Sequence, residues 1–319
     1  MKLPSLGEIE NAAALIAPYV SPTPQYQWPL LSDRCKTEVW VKHENTTPIG
    51  SFKIRGGITY MADLDTDRVI CATRGNHGQS VAYAARIFGM QATVVVPKDN
   101  SAAKNASMRA FGATLIEHGR DFTEAHEYAH QLADDQNLHF VPSFHHKLVV
   151  GVATCGLELL RRIPDLDEVY VPVGLGSEIC AMIAVREALG LETKIIGVVA
   201  DKAPAYALSF EKGQVVSTDS ADTFADGVAV RVPDTEALTI MTQYVSRFIR
   251  VTEREIADAM RFYFTDTHHV IEGAGASSLA ALIKDKARSD NRRAGVIASG
   301  GNVNLNLYCE ILSGSYCFD

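Results

Sequence analysis

Between residues 68 and 200, short β-branched runs alternate with longer stretches of helical spacing, and this alternation constrains the fold more than any other feature of the chain. "RVICAT" precedes "HGQSVAYAARIFG", "ATVVVP" precedes "SAAKNASMRAFG", and "ATLIEH" precedes "FTEAHEYAHQLADD". A second series has "EVYVPVG" before "SEICAMIAVREALG", then "TKIIGVVA", and "AGVIASGG" near the end. Strands this apolar are covered on both faces, and parallel neighbours need a crossover, usually a helix, between them. The expectation is an α/β protein whose mostly parallel sheet is flanked by helices. Two clusters interrupt the rhythm, residues 142–152 ("PSFHHKLVVGV") and 211–235 ("EKGQVVSTDSADTFADGVAVRVPDT"). Both read as long connections, the first a crossing between domains and the second an excursion over a face.

Charge and cysteine usage narrow the function. Thirty Lys and Arg against 38 Asp and Glu give a formal net charge of -8, and the basic residues are scattered. That pattern offers no electrostatic footprint for nucleic acid or an anionic membrane, so small-molecule chemistry is expected. No apolar run reaches transmembrane length. The opening "MKLPSLGEIENAAALIAPYV" is broken by acids, Asn11 and prolines before a signal-like apolar core can form. Six cysteines without a CxxC pair suggest free thiols in a reducing cytoplasm rather than a zinc site.

Three glycine-marked turns stand where strands end: "TRGNHGQ" (73–79), "VGLGSEI" (173–179) and "SGGNVN" (299–304). Ligands of open α/β sheets gather at the carboxyl ends of the strands. Gly174-Leu175-Gly176-Ser177, leading into a helix, can offer backbone N–H groups and a positive helix end to a phosphate. A dinucleotide fits this turn poorly, because Ile179 stands where the third glycine of GxGxxG belongs. Further upstream, "PIGSFKIRGG" holds Lys53 among glycines, a serine and an aromatic residue. An amine there, together with a phosphate site, supplies two of the parts a pyridoxal phosphate enzyme needs.

"VWVKHENTTPIGSFKIRGG", "TRGNHGQSVAYAA", "RAFGATLIEHG", "APAYALSFEKG", "ADGVAVRVP", "VIEGAGASSLAAL" and "ASGGN" follow one another in that order. Together they resemble the serine/threonine dehydratase family of fold-type II, tryptophan-synthase-β-like, pyridoxal-phosphate-dependent enzymes. The resemblance implies two open twisted, mostly parallel sheets. A small domain of residues 68–145 would be inserted into a large cofactor-binding domain of residues 1–67 and 146–319. It also implies pyridoxal 5'-phosphate as cofactor, a small amino-acid substrate and β-elimination of water from threonine or serine. The expected assembly is a homodimer.

The resemblance carries roles residue by residue. Lys53 would hold the cofactor as a Schiff base and then act as the base at Cα, with Phe52 beside the ring. Asn76 would hydrogen-bond the ring's 3-hydroxyl, and Ser299 the pyridine nitrogen. Thr73, Gly75, Asn76 and His77 would form the turn that receives the substrate carboxylate. Gly174, Leu175, Gly176, Ser177 and Glu178 would hold the phosphate. A neutral hydroxyl partner such as Ser299 leaves the ring nitrogen unprotonated, which weakens the electron sink and favours prompt loss of a β-substituent.

The chain departs from the family at three points. Arg74 stands where racemizing relatives often carry serine, and a guanidinium cannot serve as the opposite-face acid. Arg74 could instead pair with a second substrate carboxylate or with an acidic neighbour. The phosphate turn has two glycines where many relatives have four, and Glu178 is an awkward neighbour for a dianion unless it points outward or meets a cation. Val199 occupies a position where some relatives place a cation-binding glutamate, and no metal is expected. The pairs His145-His146 and His268-His269 lack metal-ligand spacing and read as structural or surface residues. Glu272 reads either as an acid near the cofactor or as one at a helix N-terminus. A dehydratase for 3-hydroxyaspartate or a bulkier β-hydroxy amino acid, suggested by Arg74 and His145, and a non-catalytic binding relative remain the alternatives.

Overall fold

The computed structural model describes residues 1–285 and 292–318. The chain begins with α1 (Leu6–Ile16), β1 (Gln25–Gln27), α2 (Pro29–Cys35), β2 (Glu38–Lys42) and α3 (Lys53–Met61). A run of alternating elements follows: β3 (Arg68–Ala72), α4 (Asn76–Ile87), β4 (Gln91–Val96), α5 (Ala102–Ala110), β5 (Thr114–Glu117), α6 (Phe122–Gln136) and β6 (His139–Phe140). Then come α7 (His146–Arg162), β7 (Glu168–Pro172), α8 (Ser177–Ala188), β8 (Lys194–Ala200), α9 (Ala205–Lys212), α10 (Thr235–Tyr244) and β9 (Arg247–Val251). Helices α11 (Glu253–Thr267) and α12 (Gly273–Lys284), strand β10 (Arg293–Ile297) and helix α13 (Leu305–Ser313) complete the order.

The strands form two sheets. One has four strands in the order β5-β4-β3-β6, all parallel. The other has six in the order β1-β2-β10-β7-β8-β9, parallel except for the antiparallel pair β1 and β2. The period of two explains how each sheet is covered. Val69 and Cys71 of β3 pack with α3 and α4 on one face, whereas Ile70 and Ala72 meet Ala125, Ala129 and Ala133 of α6 on the other. In the larger sheet Val169 and Val171 face the layer of α7 and α8, while Tyr170 points to the layer of α11 and α12. Each fully buried Val or Ile contributes about 1.5–3 kcal/mol, so a one-residue slip in register would forfeit a whole row.

Residues 142–152 are not the long connection expected from the sequence. Helix α7 starts at His146, and His145 caps it, its Nδ1 accepting from the Lys147 backbone N–H at 3.1 Å. Two histidines followed by β-branched residues and a glycine conceal this helix, because none is a strong helix former. The glycine is there for packing: a Cβ on Gly151 would lie 2.3 Å from the carbonyl oxygen of Arg55. The crossing of α3 and α7 is therefore closer than any side chain allows. Residues 213–234 do form an excursion, whose one regular piece among the described residues is a 3₁₀ turn at Asp226–Val228. Cys35, Cys71, Cys155 and Cys180 are buried; Cys309 and Cys317 are exposed. No described helix is long and apolar enough to cross a membrane.

Candidate active site

The segment before α3 is held against the end of β10. Thr47 Oγ1 accepts from the Ser51 N–H at 2.9 Å and donates to the Ser51 carbonyl at 2.8 Å. Ser51 bridges to Gly300, and the Phe52 N–H donates to the Ser299 carbonyl at 3.1 Å. Phe52 and Ser299 are thus fixed together, and Lys53 opens the helix beside them. From the other sheet's layer, Ser80 Oγ donates to the Lys53 carbonyl at 2.7 Å. The half-buried Lys53 directs Nζ to within 3.3 Å of Ser177 Oγ and 5.0 Å of the Phe52 ring centroid. Burial lowers its pKa, and the Glu178 carboxylate opposes the shift only in part. A neutral amine is the form that can act as nucleophile and base.

Ser177 begins α8. The preceding Gly176 has φ of 104°, a left-handed conformation suited to glycine, and no side chain caps the helix. A Cβ on Gly174 would collide with the Gly227 carbonyl at 2.3 Å, so the excursion lies directly on this turn. Tyr206 Oη donates to the Leu175 carbonyl at 2.9 Å and fixes its direction. What remains is an uncapped helix N-terminus facing the lysine amine, a natural seat for an anion. Glu178 is buried there, and burial lifts its carboxyl well above the usual range.

The third turn arises at the end of β3. Thr73 Oγ1 accepts from the N–H groups of Gly75, at 2.9 Å, and Gly78, at 3.3 Å. Helix α4 starts at Asn76 with no side-chain cap on Gly75, so the first N–H groups of that helix are unclaimed by any cap. Asn76 Nδ2 donates to Glu272 Oε1 at 2.7 Å, and Asn76 Oδ1 accepts from Asn302 Nδ2 at 2.8 Å. The side chain of His77 turns away, its Nε2 3.3 Å from the Val141 carbonyl, and burial lowers its pKa to about 4. Only its backbone can serve a ligand at the turn. Arg74 is exposed.

The structure thus brings Lys53, Phe52, Ser177 and Ser299 together, and links Asn76 to the Ser299 turn through Glu272 and Asn302. Sequence reasoning assigns no role to Asn302, Lys104 or Asp226. Lys104 of α5 pairs with Asp226 of the excursion at 2.8 Å and lines a cavity of about 20 Å³ with Glu272 and Asn302. Asn302 lies within the quoted "SGGNVN", so its signal was present, whereas nothing local marks Lys104. Burial raises the pKa of Glu272, while Lys104 and Asn76 oppose the shift. Among the described residues, no group of three or more His, Cys, Asp or Glu is placed to hold a metal.

The family described as pyridoxal-phosphate dependent enzyme matches residues 16–300. The chain belongs to that family. It is 34% identical over 314 residues to an L-threonine ammonia-lyase of Thermotoga maritima, covering 97% of this chain and 78% of the relative. A solved bacterial-type relative, the T.th. threonine deaminase, superposes with a TM-score of 0.89 at 31% identity, over 95% of this chain and 99% of that one. Maize serine racemase gives 0.92 at 25% identity, over 98% of both chains. The family membership makes pyridoxal phosphate the cofactor, and the site fits it. A desolvated lysine amine lies beside an uncapped helix N-terminus, as a carbonyl-bearing phosphate ester requires.

Proposed function

We propose that this enzyme is an ammonia-lyase that eliminates water from threonine or serine to give a 2-oxo acid and ammonia. The observation that carries the reading is the Lys53 amine, with its lowered pKa, 3.3 Å from the first hydroxyl of the anion-binding helix. When bound, pyridoxal phosphate supplies an electron sink for the negative charge that develops at the substrate's Cα. Lys53 carries the cofactor, and once released it accepts the Cα proton. Phe52 lies along the ring. Ser299 and Asn76 meet the ring nitrogen and the 3-hydroxyl. The turn from Gly174 to Glu178 holds the phosphate. Thr73 Oγ1 shapes the 73–77 turn, and the Gly75, Asn76 and His77 backbones receive the substrate carboxylate. The hydroxyl departs as water, and the resulting enamine hydrolyses to the oxo acid and ammonia.

In the same reading residues 68–145 act as a small domain that closes on the large one, the active form is a homodimer and the enzyme works in the cytoplasm. A panel of β-hydroxy amino acids assayed for 2-oxo acid release tests the substrate. Threonine or serine should be turned over, and Lys53→Ala should abolish both turnover and the visible absorbance of lysine-bound cofactor. Turnover of neither amino acid, or turnover by Lys53→Ala, would overturn the reading. One observation favours a second substrate class, 3-hydroxyaspartate. Arg74 is exposed next to the 73–77 turn and feels the charge of Lys104, so two cations are available to a second carboxylate. His145 gives that class no support, because it is engaged as the cap of α7 and lies edge-on to Tyr60 at 5.1 Å. Racemization is disfavoured, since a guanidinium at position 74 is no proton donor at ordinary pH.

A further inference from the structure

Glu178 is the second residue of α8, on the turn assigned above to the phosphate. It is 5% exposed, and its Oε1 is enclosed without a hydrogen-bond partner. An unpartnered buried carboxyl oxygen costs about 1–3 kcal/mol, so a ligand is the natural source of the missing bond. The charged groups that face it come from four elements. Among the described residues Lys53 of α3 is the one cation, Glu44 (after β2) and Glu272 (before α12) add negative charge, and Cys155 of α7 lies close enough to feel the carboxylate. None of these can keep Glu178 ionised in the loaded enzyme. Lys53 is committed to the cofactor, Glu44 is paired with Arg55 at 2.8 Å, and Glu272 accepts from Asn76 at 2.7 Å. A phosphate dianion at the same helix end would add further negative charge. Two anions sharing such a site cannot both stay ionised, and the weaker acid takes the proton.

We infer that Glu178 holds a proton in the anion-binding turn and donates it as a hydrogen bond to the phosphate of the bound cofactor. The inference rests on the cofactor placement proposed above. A protonated carboxyl has one O–H donor, and its acceptor would be a charged oxygen, which makes the bond a strong one. The carboxyl raised by burial is already predisposed to this form. As the pH rises and Glu178 loses its proton, the donor becomes a repelling anion and the phosphate is held less tightly.

Holoenzyme of the wild type and of the Glu178→Gln and Glu178→Ala variants, followed by phosphorus NMR and by the rate of cofactor loss on dilution, tests this. Wild type should show a pH-dependent step in the bound phosphorus resonance. Its cofactor loss should accelerate roughly ten- to a hundredfold across that step, the worth of a hydrogen bond to a charged group. Glu178→Gln is near-isosteric and keeps an N–H donor, so it should hold the cofactor with no such step. Glu178→Ala should lose it quickly at every pH. A step persisting unchanged in Glu178→Gln would overturn the inference, as would wild-type retention by Glu178→Ala. So would a Glu178→Gln effect confined to the visible titration of lysine-bound cofactor, which would assign the residue to Lys53 instead. A wild-type enzyme with no bound phosphorus signal and no visible chromophore would overturn the cofactor placement itself, and this inference with it.

Discussion

Lys53 shows how one side chain takes its chemistry from its surroundings. Lys42 is more deeply buried, yet it is paired with Glu158 and bonded to the Thr23 carbonyl, so it stays a structural cation. Lys53 has only a hydroxyl and an aromatic face for company. The sequence marked this lysine by its glycine-rich setting, and it marked the 174–178 turn by the GxG at a strand end. It could not mark Lys104 or Asp226, which meet only through folding across more than a hundred residues of chain. Ser299 offers a prediction at this scale. Ser299→Asp places a carboxylate at the pyridine nitrogen, raising its protonation and prolonging the life of the carbanion. Deuterium wash-in at Cα should then gain on oxo-acid release. Unchanged partitioning would remove the ring-nitrogen role from Ser299.

Helix α3 owes its position to the arginine two residues beyond Lys53. Arg55 is 1% exposed and donates to Glu44 at 2.8 and 2.9 Å, to Glu158 at 2.7 Å and to Thr154 at 3.0 Å. It ties α3 to the segment after β2 and to α7. Arg55→Met would leave two carboxylates facing a low-dielectric gap, and should cost about 3–5 kcal/mol in chemical denaturation. Burial alone would raise the pKa of Glu44, but Arg55 and Lys42 bring it below its ordinary value. The folded form therefore holds this proton less readily than the unfolded chain. The stabilisation is complete well above the ordinary glutamate pKa of about 4.3 and fades as the pH falls through the lower folded value. Urea unfolding between neutral pH and about pH 3.5, below that ordinary value, should show a shallower acid loss in Glu44→Gln, from a lower starting stability. An identical acid slope would remove Glu44 as its source. Elements were legible where they carry a strong period: the strands β3, β4, β7 and β8 with their helices. The edge strand β1 has three residues, β6 has two, and α7 opens with weak helix formers, so local pattern says little about any of them.

At the scale of the whole molecule, the two sheets meet at the site from opposite sides. The carboxylate turn, residues 73–77, belongs to the four-stranded sheet, whereas Lys53, Ser177 and Ser299 border the six-stranded one. The pair of Lys104 and Asp226 spans them. If bound substrate draws the two units together, an unreactive amino-acid analogue should slow hydrogen exchange at 73–80 and along 222–228. Protection limited to Lys53 and the 174–178 turn would withdraw the carboxylate role from the 73–77 turn. The βα rhythm foretold both sheets, but their contact depends on side chains far apart in sequence, and periodicity carries no information about that. The distribution of sulfur gives this arrangement its own clock. Cys71 lies in the core of the four-stranded sheet, Cys155 and Cys180 in helices packed on the six-stranded one, and burial raises the pKa of all three thiols. Cys309 and Cys317 are exposed. A thiol reagent read by mass spectrometry would mark the two surface sulfurs at once and the core sulfurs only when their layer opens. Modification of Cys71 ahead of Cys155 and Cys180 would show the smaller sheet loosening on its own; simultaneous modification would show that the molecule comes apart as one.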